Sequence, residues 1–190
     1  MIDGKELEKR NDWELIRMAA EGESSAFGVL YDRYQPAIYR FIYLKVGHRE
    51  EAEDLTHHVF TSAWENIASF TDRGFPITSW FYRIARNRVT DYYRTRKISI
   101  SVDEIPEDIG ILAQEDHTRA TAEKMDLELI RRALETLSQE HQDIVIMRFV
   151  EELSHKEVAA ATGKSEGSIR VLQHRALKAL KEAVEKEIAS

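Results

Sequence analysis

The residues best suited to chemistry lie between Phe70 and Lys97. This stretch interleaves Phe70, Phe75, Trp80, Phe81, Tyr82, Tyr92 and Tyr93 with Arg83, Arg86, Arg88, Arg94 and Arg96. From Arg73 to Lys97 there are seven Arg or Lys against a single acid, Asp91. Aromatic faces stack on unpaired bases and cations meet backbone phosphates, so the stretch holds both ingredients for gripping single-stranded nucleic acid. Melted bases are also captured in pockets built from such side chains. The plainer reading puts the rings in a core and the arginines on a wet face; it fits Phe81 and part of Trp80.

A second chemical surface spans Leu153 to Lys181. Ser154 is a good N-cap, and Glu157 stands three residues on, where it completes a capping box. Val158, Ala159 and Ala161 follow in a short helix of small residues, which Gly163 stops in the left-handed conformation. Ser165 caps a second helix at once. Ile169, Leu172, Ala176 and Leu180 recur at spacings of three and four and form its buried stripe. The remaining faces carry Arg170, Gln173, His174, Arg175, Lys178 and Lys181. A capped short helix, a glycine turn and a longer helix with a basic, amide-bearing face form the helix-turn-helix pattern that reads duplex DNA. The alternative is a helical hairpin with a solvated basic face.

No catalytic constellation accompanies these surfaces. There is no phosphate-cradling glycine loop, no Gly-x-Ser-x-Gly and no His-Glu-x-x-His. His57 and His58 are adjacent, and neighbours on a helix point about 100° apart, which suits one shared metal poorly. The chain has no cysteine, which excludes disulfides, thiolate metal sites and a cysteine nucleophile and fits a cytoplasmic setting. The expectation is a binding protein with no enzymatic activity, no metal and no cofactor.

The elements that must position these surfaces are helices. Glycine and proline number 8 and 3 in 190 residues, and strand-like alternation is nearly absent. The fold class is therefore all-α. A first helix starts after a cap at Asp12 and carries Trp13, Ile16 and Ala20 on one side. A second, capped by Ser24 or Ser25, presents Phe27, Leu30, Tyr31, Tyr34, Ile38, Phe41, Ile42 and Leu44, with a kink or break expected at Pro36 and an end at Gly47. A third runs from Arg49 to about Ser69, with Ala52, Leu55, Val59, Ala63 and Ile67 as its stripe and four acids in its first turns, where the helix dipole favours them. Phe60 and Trp64 lie at i, i+4 beside that stripe and either complete the core, the default for such residues, or form part of an exposed docking surface. A fourth runs from about Thr78 to Thr95. Further helices hold Met125, Leu129, Ala133 and Leu137, then Ile144, Val145, Met147, Arg148 and Phe149.

The net charge of −7 sits awkwardly with a partner made of phosphates. Its distribution resolves the difficulty. Eight acids face two bases from Ile98 to Asp126, whereas six bases face three acids from Ser154 to Glu182. Two basic patches thus flank an acidic, weakly periodic segment. The chain reads as two small helical domains, 10–97 and 122–188, joined by a flexible acidic linker, 98–121. No apolar run approaches the roughly 20 residues that span a bilayer, and the charged N-terminus lacks the apolar core of a signal peptide.

These segments resemble a known family. Phe27 to Lys97, through FGVLYDRY, EEAEDLTHHVFTSAWENI and SWFYRIARNRVTDYYR, resembles the core-binding and promoter-melting domain of bacterial RNA polymerase sigma factors. The segment from LETLSQEHQDIVIMRFVEELSHKEVAAATGKSEGSIRVLQHRALKAL resembles their promoter-reading domain. Two such domains and a short linker are similar to the extracytoplasmic-function group of the sigma-70 family. The resemblance implies a transcription initiation factor that binds core RNA polymerase, with Glu53, Asp54, Leu55, His57, Phe60 and Trp64 on the clamp coiled coil of the largest subunit. It implies capture of a flipped non-template base of the −10 element by the loop Phe70 to Pro76, including Arg73 and Phe75, flanked by Trp80, Arg83, Arg86, Asn87 and Asp91. It implies a recognition helix in the major groove of the −35 element. There Arg170, Gln173 and His174, with Ser168 beside them, face bases, and Lys164, Arg175 and Lys178 meet phosphates. The acidic linker would thread toward the polymerase cleft, and an anti-sigma factor would hold the protein inactive. A stand-alone helix-turn-helix regulator is the competing reading.

Overall fold

The computed structural model describes residues 4–71, 74–102 and 130–188. Arg73, the acidic segment beyond Val102, and Met125 and Leu129 lie outside the described residues. Helices make up the architecture, and no strand occurs among the described residues. Helix α1 (Gly4–Leu7) precedes the first helix expected from sequence and fully buries Leu7.

Helix α2 (Asp12–Ala20) starts one residue before the expected point, because Asn11 and not Asp12 is its cap. The Asn11 side chain accepts from the Glu14 N–H at 3.0 Å, and the Glu14 carboxylate accepts from the Asn11 N–H at 3.3 Å. Asp12 is thereby left for tertiary work: it pairs with Arg33 and accepts from the Tyr34 hydroxyl, tying α2 to α3. The buried face is Leu15, Ile16 and Ala19, and Trp13 stays 40% exposed, so the helix is rotated from the face expected.

Helix α3 (Ser24–Val46) is capped by Glu23, whose carboxylate accepts from the Ser25 N–H at 3.4 Å. It runs through Pro36 without a break, although Pro36 has no N–H to donate. Leu30 and Ile38, fully buried on either side of the proline, hold both segments to the core. Gly47 ends the helix at φ 76°. Helix α4 (Arg49–Asn66) and the 3-10 turn Ile67–Ser69 bury Ala52, Val59, Ala63 and Ile67, and Leu55 lies half-buried in the same stripe. Helix α5 (Ile77–Val102) is longer than expected and carries on past Lys97 into the segment read as linker. Its residues Ile77, Phe81, Ala85 and Val89 are buried in the same core as Phe41 and Phe60, with Phe81 5.1 Å from the Phe60 ring.

The C-terminal half begins with helix α6 (residues 130–135), which buries Leu134. Ser138 caps α7 (Gln139–Val145), and the chain passes directly into a π-helical turn, Ile146–Val150. Ile144 to Met147 are buried, whereas Phe149 is turned outward at 48% exposure. Helix α8 (His155–Thr162) has the expected capping box from Ser154 and Glu157. Helix α9 (Glu166–Ile188) buries Ile169 and Ala176 against α7 and α8.

The two halves pack together. Helix α8 lies along α5, and the π-turn meets α3. The expected turn at Gly163 is present, with φ 72° and nothing within 4 Å of the position a β-carbon would take. Gly163→Ala should therefore carry only the backbone cost of the left-handed conformation. The expected loss is about 1 kcal/mol in urea unfolding with an unchanged denaturant slope.

Candidate nucleic-acid interface

The aromatic-basic stretch forms a cleft where the loop before α5 meets the first turns of that helix. Ser69, Phe70, Thr71, Phe75, Pro76, Ser79, Trp80 and Arg83 line it, and Ala160 from α8 closes one side. Its rings pack on one another in tilted pairs. Phe70 lies 5.8 Å from Trp13 and 4.9 Å from Trp80, and Trp80 lies 5.8 Å from the buried Phe81. Trp80 and Phe70 are half-buried, so part of each ring remains in reach of a ligand. The Ser79 hydroxyl is buried at the cleft and makes no hydrogen bond. The Lys156 ammonium sits 5.3 Å from the centre of the Phe75 ring, a cation–π contact between the halves.

The residues expected around this cleft divide into two groups. Asn87 and Asp91 are exposed on α5, and Asp91 pairs with Arg94 at 3.0 Å. Arg83 and Arg86 instead turn toward the C-terminal half. Arg83 donates to the carbonyl of Ala160, and Arg86 donates to the carbonyl of Ala161 at 3.4 Å and to the Asp143 carboxylate at 2.7 Å. Further along α5, the Tyr92 hydroxyl donates to Glu51, and its burial, with Glu51 beside it, pushes its pKa up to about 12.

The docking face expected on α4 is only partly a surface. Glu53, Asp54 and His57 are exposed, Glu53 pairing with Arg49 at 2.8 Å, and Leu55 is half-buried. Trp64 is 36% exposed and packs on Phe27 at 5.2 Å. Phe60 corrects the expectation. It is 3% exposed, with Tyr31, Phe27 and Phe81 around it, so it supports the face from within the core and cannot touch a partner.

On α9 the outward face is available. Ser168, Arg170, His174, Arg175 and Lys178 are exposed, and the side chains of Arg170 and Lys178 make only loose i,i+4 pairs with Glu166 at 3.7 Å and Glu182 at 3.9 Å. Ser168 also belongs to the cap: its N–H donates to Ser165 Oγ at 3.2 Å. Lys164 pairs with Glu140 at 2.8 Å, a contact that holds the Glu140 carboxyl below its usual range. Gln173 is placed differently from the others. It is half-buried, and its amide oxygen accepts from Arg148 Nε at 3.1 Å and lies 2.9 Å from His155 Nε2. It joins the π-turn, α8 and α9, so its oxygen is committed inside the domain.

Four charged residues that sequence reading did not single out hold the halves together. Lys45 and Arg86 share the Asp143 carboxylate, and the side chains of Lys45 and Asp143 are 3% and 6% exposed. Burial pushes the Lys45 pKa down, and Asp143 pulls it part of the way back. Arg40 makes a two-pronged pair with Glu151, both bonds 2.7 Å, and this raises the Arg40 pKa. Burial and the same carboxylate push the Tyr82 pKa up. The signal available in sequence was a lone charge inside an apolar run: Lys45 in Phe41 to Val46, and Asp143 before Ile144 to Met147.

Comparison with known proteins agrees with this geometry. Sigma-70 region 2 matches residues 30–98, and Sigma-70, region 4 matches residues 133–182. The chain belongs to the sigma-70 family, in its extracytoplasmic-function group. It is 36% identical over 172 residues to the ECF RNA polymerase sigma factor BldN of Streptomyces coelicolor, covering 88% of this chain and 63% of that protein. It is 28% identical over 176 residues to the ECF RNA polymerase sigma factor SigD of Mycobacterium tuberculosis, covering 90% of this chain and 82% of that one. The fold is that of CnrH, solved in complex with the cytosolic domain of CnrY, with a TM-score of 0.71 at 22% identity over 92% of this chain and 97% of CnrH.

In this sigma factor, a structural residue and an exposed one on the same helix should separate cleanly. Gln173→Ala should lower stability by about 1 kcal/mol in urea unfolding, because Arg148 loses a half-buried acceptor. Arg170→Ala should change it by less than about 0.5 kcal/mol, its only pair being an exposed one.

Proposed function

We propose that this chain is a promoter-specificity subunit: it joins core RNA polymerase, reads a −35 duplex and a −10 element, and helps melt the DNA, without a catalytic step of its own. The observation that carries the reading is the pairing, within one chain of this family, of an aromatic cleft flanked by arginines with a helix-turn-helix whose second helix keeps a basic outer face. In this reading residues 10–97 form the unit that binds core and the −10 element, 98–121 the linker, and 122–188 the −35 unit. Phe70, Phe75 and Trp80 stack on a base turned out of the melted strand, and Arg83, Arg86 and Asn87 meet its surroundings. Arg170 and His174 face base edges, while Arg175, Lys178 and Lys164 meet phosphates. Gln173 acts by positioning α9.

The docking face for core is Glu53, Asp54, Leu55, His57 and the exposed edge of Trp64, backed by Phe60. Among the described residues no helix is long and apolar enough to cross a membrane, and no group of three or more His, Asp or Glu side chains forms a metal site. A cytoplasmic location fits the role. An anti-sigma factor that covers the α4 face and the basic faces is the fitting regulator; the Bartonella quintana RpoE was solved in complex with the anti-sigma factor NepR.

Reconstitution with core polymerase and a promoter library tests the reading. A stable complex with core and transcripts from a defined promoter class are expected. Tight, specific duplex binding without polymerase, and no transcript with it, would instead make the chain a stand-alone regulator. Within that assay Arg170→Ala should cost about 1–3 kcal/mol at one −35 position and relax the choice of base there. Trp64→Ala should weaken the core complex while leaving duplex binding unchanged, as measured by competition for core and by gel shift.

A further inference from the structure

We propose that Trp13 is a second stacking site for unpaired nucleic acid, taking the base next to the one captured by the aromatic cleft, with Arg17 on its phosphate. The inference rests on the reading above, in which Phe70, Phe75 and Trp80 hold a base turned out of the melted strand.

Three observations converge. The first is the continuity of the rings. Trp13 lies 5.8 Å from Phe70 with the two planes 30° apart, and Phe70 lies 4.9 Å from Trp80. Phe70 is therefore shared: Trp80 lines the cleft with it, and Trp13 stands outside the cleft at 40% exposure. A lone exposed ring means little, but this one extends a row that already offers stacking faces, and stacking accepts any base. The second is rigidity. Trp13 sits in the first turn of α2, between the Asn11 cap with its Glu14 partner and the tie from Asp12 to Arg33 and Tyr34. Leu15, Ile16 and Ala19 bury the other side of the helix, and α2 packs against the 3-10 turn that leads into Phe70. A platform held in this way loses little freedom when a base lands on it. The third is charge. Arg17 stands one turn along from Trp13 on the same side of α2, and its exposed side chain has no ion pair or hydrogen bond among the described residues. The acids of α2 are already taken: Glu14 pairs with Arg10 at 3.2 Å, and Asp12 with Arg33. A ring and an unpaired cation side by side meet the two parts of a nucleotide, base face and phosphate. Both come from outside residues 30–98, the segment matched by sigma-70 region 2.

The test uses the full chain reconstituted with core polymerase, and promoter DNA whose non-template strand carries a single abasic site stepped through the −10 region. Two adjacent positions should each weaken binding: the captured base and its neighbour. Trp13→Leu keeps an apolar contact with Phe70 but offers no stacking face. It should bind intact promoter about tenfold more weakly, within the range that loss of one stacked base gives. It should also abolish the abasic penalty at the neighbouring position and leave the penalty at the captured base in place. Trp13→Tyr should keep both penalties. Arg17→Ala should lower affinity evenly across the series and reduce the salt slope by about one. If Trp13→Leu does not melt cooperatively, Trp13→Met, which fills the same gap more pliably, takes its place. A smaller penalty at the captured base in Trp13→Leu would mean that Trp13 only props Phe70, and would overturn the site. So would a single sensitive position in the parent chain, an unchanged salt slope in Arg17→Ala, or a Trp13→Leu chain that loses core polymerase but not DNA. Promoter-dependent transcription by the parent chain, on which the reading above stands or falls, is a separate readout.

Discussion

The carboxylate of Asp143 is the point on which the arrangement of the molecule turns. It is nearly out of water, and it receives the ammonium of Lys45 from the end of α3 and the guanidinium of Arg86 from the middle of α5. Two cations on one buried anion leave an excess of positive charge, and removing ions from water is costly. Lys45 relieves part of this by also lying 3.4 Å from the carbonyl of Gln139. The cluster is satisfied only when α3, α5 and α7 converge. A buried group of this kind adds little net stability compared with apolar packing, but it penalises every other arrangement of the same helices. It therefore sets how the C-terminal half sits, more than how firmly.

That setting explains the uneven exposure of the two DNA-reading surfaces. The helix-turn-helix is internally complete: a capping box starts α8, a left-handed glycine ends it, and Arg148, Gln173 and His155 tie its second helix to the π-turn. Its basic face points to solvent. The aromatic cleft, in contrast, has its arginines turned toward the end of α8 and its wall completed by Ala160. A protein with net negative charge thus keeps the arginines beside its aromatic cleft occupied with its own oxygens. Arg83 is exposed, but the Glu151 and Asp143 side chains that hold the halves together are only 3% and 6% exposed, so the packing rests on buried carboxylates that salt reaches poorly.

Much of the fold was legible in the sequence, and the reasons are local. The stripe Ile169, Leu172, Ala176 and Leu180, the cap at Ser154 and the turn at Gly163 depend on residues within a few positions of one another, and each appears as read. The stripe on α4 did so for the same reason. The errors have physical causes too. Asp12 looked like a cap because its type suits one, yet Asn11 takes that place and Asp12 serves a contact 21 residues away. Phe60 and Trp64 share one side of α4, and periodicity alone could not tell that the first faces Phe81 and the second the solvent. Gln173 has a residue type suited to reading bases, but its partners, Arg148 and His155, come from other elements. The pair between the halves was invisible for the same reason: Arg40 and Glu151 lie 111 positions apart.

The central claim is that the Asp143 carboxylate sets how the C-terminal half sits on α3 and α5. The direct test is the distance between spin labels on cysteines introduced at the exposed Ala68 and Thr136 of the free chain, with and without Asp143→Asn. One narrow distance is predicted in the parent and a broad distribution in Asp143→Asn, with helix content unchanged. The same narrow distance in both would contradict the account.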